Sequence, residues 1–223
     1  MMDLEKFYAR LEGKAPLSVY DFETKTRSII DANVHSFIIG EVNVPSGLLA
    51  ASDPYVDIES PLVFDVPAGK YPVYVTVADV SAEQNKSHYR ECYLSIILNE
   101  NEPVSVSGAI PKDREDDLVE GTFYGVGVDA GIVGFFDYEA GQELNKTLEE
   151  DPDSLFDFLE EELTEKNNAH VGVFQPEGIE GNFIYSHSGW GDGFYPVLKT
   201  LDKDGNITGF HIDLGVLGIP DSE

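Results

Sequence analysis

Two segments in the second half of the chain set acids among glycines and aromatics. In GVGVDAGIVGFFD (Gly125–Asp137) the acids are Asp129 and Asp137; SHSGWGDGFYPV (Ser186–Val197) carries His187, Trp190, Asp192 and Tyr195. Paired carboxylates on loops can hold calcium or magnesium, or divide acid and base roles. A tight hairpin through Asp129-Ala130-Gly131 would bring Asp129 and Asp137 near one another. The same residues also have a purely structural use, with Asp129 accepting backbone N–H groups in an Asx-turn and Asp137 capping a helix that begins near Tyr138. Trp190 between glycines reads either as a loop plug or as an indole held out to stack on a ligand. The candidate binding residues are therefore Asp129, Asp137, His187, Trp190, Asp192 and Tyr195. Asp129, Asp137 and Asp192 are the candidate metal ligands, and no catalytic residue is assigned.

Other chemistries find little support. Strand alternation puts Ser186 and Ser188 on one face and His187 on the other, so His187 is poorly placed to activate Ser188. There is no Gly-x-Ser-x-Gly elbow. His35, His88, His170, His187 and His211 make none of the familiar zinc spacings, although His170, His187 and His211 fall on strands that could converge with Asp129 or Asp192. Cys92 lies in strand-like sequence without a partner motif and reads as a buried, inert thiol. Neither a phosphate-binding loop nor a dinucleotide fingerprint is present. No cofactor is evident; a divalent metal is the one the acids could hold.

The elements that must position these residues are mostly strands. Leu4, Phe7, Tyr8 and Leu11 have the spacing of one helix face and predict a short opening helix closed by Gly13. From about Thr26 to Ile110 the pattern is β, with strands at Leu62–Val66, Val73–Val77 and Tyr89–Leu98. Lys112–Glu120 is a charged connector and the best internal boundary. Residues 152–166 predict a helix with Asp151 at N-cap, Pro152 at N1 and Asp153 in the first turn. Its buried face is Leu155, Phe156, Leu159 and Leu163, and Glu160, Glu161 and Glu162 face water. Strands resume at His170–Phe174, Asn182–His187, Tyr195–Leu201 and Ile207–Leu214. Asp202–Asn206 between the last two reads as a hairpin turn rather than a calcium loop, lacking that loop's final acid. Gly-x-Tyr-Pro-Val occurs at Gly69–Val73 and again at Gly193–Val197, each copy opening a strand after a glycine turn. The expectation is a single α+β domain over 1–223, predominantly antiparallel sheet (sandwich-like or strongly curved), with about three helices packed on one side.

Charge is the strongest compositional signal. Forty-two acids against fourteen bases give a formal charge of −28. That field repels nucleic acid and anionic membrane and speeds encounter with a basic partner, though it also serves plain solubility. Apolar runs are too short for a membrane-spanning helix. The opening residues lack a secretory pattern, and a lone cysteine suits a reducing compartment, so the expected location is cytoplasmic.

Ser46-Gly47, Asp53-Pro54, Pro67–Val73, Gly127–Gly131 and Ser188–Pro196, in that order, resemble a bacterial family known as domain of unknown function 4241. The resemblance spans roughly Ile39–Leu214. In the family pattern Asp-Ala-Gly leads to Thr-Gly-Cys-Phe-Met-Asp; here Ile132–Asp137 follows and Gly134 replaces the cysteine, which argues against thiol chemistry there. The family implies a β-rich domain but supplies no reaction. Two readings follow. The first is a non-enzymatic interaction protein, immunity-like, against a basic partner. The second is a metal-dependent enzyme or ligand-binding domain built from 125–137 and 186–197.

Overall fold

The computed structural model describes residues 4–21, 23–114, 122–148 and 153–218. One sheet gathers β1 (Gly13–Asp21), β2 (Thr26–Val44), β5 (Gly69–Asp79), β6 (Tyr89–Ile97), β7 (Ser105–Gly108), β8 (Gly125–Val128), β13 (Gly193–Leu201) and β14 (Ile207–Asp213). The other holds β3 (Leu48–Ser52), β4 (Leu62–Asp65), β9 (Ile132–Asp137), β10 (Thr164–Lys166), β11 (Ala169–Phe174) and β12 (Phe183–His187). Their orders are β1-β2-β5-β6-β14-β13-β7, with β8 also on β13, and β10-β11-β12-β9-β3-β4. Strand pairing is antiparallel throughout both sheets. This is the predominantly antiparallel α+β sandwich that the alternating Val, Ile and Tyr residues predict.

Period-2 alternation turns one set of side chains of each sheet inward. Val73, Val75, Leu94, Ile96, Val197, Phe210 and Ile212 of the first sheet meet Leu49, Phe64, Val133, Phe135, Val171 and Ile184 of the second in one cluster. The outer face of the second sheet carries Phe136, Phe174, Phe183 and Tyr185, covered by Leu144 of α1 (Tyr138–Leu148) and Leu159 of α2 (Asp153–Glu162). Both α-helices thus lie on one side, as expected. β9 contributes to both clusters through adjacent residues, Phe135 inward and Phe136 outward, and both rings are fully buried. Each such ring contributes roughly 2 kcal/mol of transfer free energy. The outer face of the first sheet is covered near Cys92 and Tyr93 by the opening segment, through Phe7, Tyr8 and Leu11.

The structure corrects two expectations. The opening residues form a single 3₁₀ turn, Leu4–Lys6, in place of a helix reaching Gly13. Phe7, Tyr8 and Leu11 bury themselves against the sheet, and Gly13 already belongs to β1. The later helix ends at Glu162, not Lys166, because Thr164–Lys166 pair with β11 and Asn167 and Asn168 turn the hairpin at φ of 51° and 63°. Asparagine tolerates that left-handed conformation well. The expected cap Asp151, Pro152 and most of the 112–120 connector lie outside the described residues, as do the side chains of Leu155 and Phe156. Within 112–114, Lys112 pairs with Asp65 at 2.8 Å.

The repeated Gly-x-Tyr-Pro-Val opens β5 and β13. In both, the proline faces a partner on one side only, Pro72 opposite Glu41 and Pro196 opposite Gly125, and the next valine is the first residue paired on both sides. Proline, which has no N–H to donate, fits that last half-paired position. The Asp202–Asn206 turn joins β13 to β14, its Asp202 Oδ1 accepting the backbone N–H groups of Asp204 and Asn206 at 2.9 Å each. Among the described residues no helix is long and apolar enough to cross a membrane.

Candidate functional site

The two glycine-and-aspartate segments meet. Each is an arch that leaves one sheet and enters the other: β8 and β9 are the legs of the first, β12 and β13 those of the second. The legs then pair between arches. β8 runs along β13, with Val128 opposite Gly193, and β9 runs along β12, with Ile132 opposite His187. At the turns, the Ser188 N–H donates to the Gly131 carbonyl at 3.0 Å. Asp129 and Asp192 each stand one residue beyond the Val128–Gly193 pair, so both crown the same end, and both are exposed.

The expected hairpin is therefore replaced by a crossing between sheets. Its cause is burial: Val126 and Val128 on one leg and Val133 and Phe135 on the other face each other across the core. Asp137 lies at the far end of β9 from Asp129, and at about 3.3 Å per residue that strand keeps the two carboxylates well apart.

Asp137 does cap α1, its Oδ1 accepting the Ala140 N–H at 2.9 Å. Its Oδ2 takes both the N–H and the hydroxyl of Ser46, at 2.9 and 2.5 Å. The carboxylate that fastens the Asp129 turn comes from elsewhere. Asp53 Oδ2 accepts the N–H groups of Asp129 and Ala130 at 3.1 and 2.8 Å, and Oδ1 accepts that of Tyr55 at 3.1 Å. Burial pushes the Asp53 carboxyl above its usual range against the pull of these donors, and the nearby Asp129 charge adds to the rise. Ser46 and Asp53 flank β3, which pairs with β9, so β9 is clamped at both ends by carboxylate bonds to the strand beside it.

The second arch is fixed by its own hydroxyls. Ser188 Oγ and the Tyr195 hydroxyl both donate to the Gly191 carbonyl, at 2.7 and 2.8 Å. Tyr195 is buried in the core, while Ser186 Oγ donates to the His187 carbonyl. These bonds hold out Trp190, which is 55 % exposed, and Phe194, which is 60 % exposed and stacks on Phe123 at 5.8 Å. The Arg90 guanidinium sits 5.6 Å from the indole centroid.

Below Trp190 lies a group of which the sequence singled out only the histidines. His187 stacks on His170 at 4.8 Å, and its own burial, then the nearby His170 and Arg90, lower its pKa. Glu91 reaches across the gap between sheets, its Oε1 accepting the His170 N–H at 3.0 Å, and burial raises its carboxyl pKa. Arg90, Glu91 and Asp53 have no motif of their own. The signal that could have found the last is the Asp53-Pro54 pair, which shares an ordered pattern with the arches. Among the described residues no three His, Cys, Asp or Glu side chains group as ligands for a metal ion. The arrangement presents hydrophobic rings and charge on a braced loop.

Fold and tip together define an antiparallel sandwich capped at one end by two interlocked arches. The sequence profile of a family of proteins of unknown function, DUF4241, matches residues 42–212, and the chain belongs to that family. No curated protein and no solved structure matches the chain.

Proposed function

We propose that this protein is a non-enzymatic binding module that captures a basic protein, in the manner of an immunity protein, with the arch tip as its contact face. The observation that carries this reading is the pair of arches itself: Trp190 and Phe194 of the second arch stand out to solvent, and the exposed carboxylates of Asp129 and Asp192 crown the two turns. Exposed aromatics are costly to leave in water and are the residue types that most often anchor interfaces. The chain's charge supplies the steering. With 42 acids and 14 Lys or Arg, at least 28 carboxylates have no basic side chain of their own chain to pair with one-to-one. Such a surface accelerates encounter with a cationic partner, and the acceleration falls with salt.

Trp190 is the chain's one tryptophan, so its fluorescence reports directly on the proposed contact. The test is a low-salt pull-down from the native host with the wild type and with the W190A/F194A double variant, followed by titration of each recovered protein against Trp190 emission. The expected result is a basic protein that the wild type retains, that blue-shifts Trp190 and that the double variant loses. Recovery of no basic protein, or equal recovery by the double variant, overturns the reading. Polylysine serves as the control for charge alone and should bind both forms equally.

A further inference from the structure

A second site lies away from the arches, on the outer face of the first sheet beneath the opening segment. A cavity of about 340 Å³ is walled by Phe7 and Arg10 of that segment and by Asn99, Thr200, Thr208 and His211 of the sheet and its loops. This volume is near the lower end of the range for small-molecule pockets. Although the chain holds 42 acids, none of the described wall residues is an aspartate or glutamate.

The floor is a chain of buried polar side chains. Thr208 Oγ1 donates to Thr200 Oγ1 at 2.7 Å, and Thr200 Oγ1 lies 3.1 Å from His211 Nε2. The Thr200 oxygen already accepts from Thr208, and of the two acceptors its own proton can reach, Nε2 at 3.1 Å and the Gly209 carbonyl at 3.5 Å, Nε2 is the nearer. Nε2 then accepts, and the ring proton resides on Nδ1. His211 is 2 % exposed, and its Nδ1 meets no partner among the described residues. Burial, aided by the Arg10 charge, pushes the imidazole down to about 3, so it stays neutral and keeps this donor–acceptor polarity at ordinary pH. A buried donor without an acceptor is disfavoured by about 1–3 kcal/mol and is rare in native folds.

Arg10 supplies the charge at the mouth. Its guanidinium lies 4.4 Å from the Tyr74 centroid, a cation–π contact that uses the charge and not the N–H fork that matches a carboxylate. The segment is tied down at the same residue, the Arg10 N–H donating to Thr76 Oγ1 at 3.0 Å. Phe7 packs edge-on against the His211 ring at 4.9 Å, giving the cavity an apolar roof above its polar floor.

We infer that this cavity binds a small organic carboxylate, its anionic end held by Arg10 and its body enclosed between Phe7 and the Thr200–Thr208–His211 floor. An acid-free wall with one arginine discriminates for an anion, and the fork matches a carboxylate bidentately. The half-apolar lining selects one with a flat or aliphatic body. This site shares no residue with the arch tip and stands whether or not that face binds a protein.

The test uses benzoate as probe, with benzamide and benzylammonium as neutral and cationic controls of the same shape, read by NMR of the full chain. Benzoate should shift the His211 and Phe7 ring signals saturably, with Kd of about 1 mM, the order expected of so small a ligand. Benzamide should bind at least tenfold more weakly, and benzylammonium should not bind. Arg10 is exposed, so Arg10→Gln should leave the fold intact and weaken benzoate at least tenfold. Thr208→Val, which removes the floor's first hydroxyl, should weaken it several-fold while the spectrum of the arches is unchanged. The inference is overturned if benzoate gives no saturable shift at His211 and Phe7, if benzylammonium binds equally well, or if Arg10→Gln binds benzoate as tightly as the wild type.

Discussion

Two carboxylates, Asp53 and Asp137, do for the arches what a motif search assigns to ligands. Each accepts three donors in two directions and ties β9 to a flank of β3. Bonds of this kind, to a charged acceptor, contribute about 1.5–3 kcal/mol apiece, net of the water bonds they replace. Removing the acceptor leaves several backbone N–H groups unpaired. Asp53→Ala should therefore cost about 3 kcal/mol in urea-melt stability and increase hydrogen exchange at Asp129 and Ala130. Asp137→Asn, which can keep one carbonyl oxygen on the Ala140 N–H, should cost less than Asp137→Ala. An Asp53→Ala variant as stable as the wild type, with unchanged exchange at those amides, would show that the clamp contributes nothing. The Asp137 cap was legible in the sequence because its partner is three residues away. The Asp53 clamp was not, since its partners at Asp129 and Ala130 lie 76 and 77 residues on and nothing local marks them.

At the scale of elements, the strands were readable from Val, Ile and Tyr alternation and from the punctuation of Gly and Pro, which act within a few residues. Which strands pair was not. Asp129-Ala130-Gly131 has the composition of a hairpin turn, and only the inward burial of Val128 and Val133 on opposite sheets makes it an arch. The end of α2 departs from its sequence pattern for the same reason: Thr164–Lys166 answer to β11, a tertiary partner, over their own helical pattern. The arches also predict how two glycines differ. Gly189 turns at φ +69° with a would-be Cβ 2.7 Å from the Glu91 carbonyl oxygen and 2.8 Å from Val216 Cγ2, whereas Gly127 has nothing within 4 Å. Left-handed backbone alone costs a residue with a Cβ about 1–2 kcal/mol, and a backbone oxygen cannot swing aside. Gly189→Ala should lose roughly 2–4 kcal/mol of unfolding free energy and displace Trp190, visible as a shift in its emission; Gly127→Ala should stay within about 0.5 kcal/mol of the wild type. Equal losses from the two substitutions would remove the steric account of the second arch.

For the whole molecule, the acidity sets the pH response. Asp53, Glu91 and Asp213 are held above their ordinary range by burial. A carboxyl whose pKa is higher folded than unfolded binds more protons in the folded state between the two values. Its contribution is fully present below the unfolded pKa, about 4, and is lost as pH rises through the folded pKa. The field of −28 acts in the same direction, because mutual repulsion of exposed carboxylates fades as they protonate. Asp202 opposes this. Asn206, through its side chain and backbone, holds the Asp202 carboxyl down to about 2. That stabilisation is present above the unfolded value and is lost as pH falls through the folded one. Asp21, lowered by the Thr24 and Glu23 N–H groups, behaves likewise. The thermal midpoint should accordingly rise from pH 7 to about pH 5 and fall again below about pH 4. At pH 7 it should also rise with added salt, which shortens the screening length to about 8 Å near 0.15 M, and that salt effect should shrink at pH 5 as the carboxylates lose charge. Midpoints measured at pH 7, 5 and 3, in low and high sodium chloride, separate the two contributions. A midpoint highest at neutral pH and insensitive to salt would mean that the surface acids are too dispersed to repel one another, and would also withdraw the electrostatic steering on which capture of a basic partner depends.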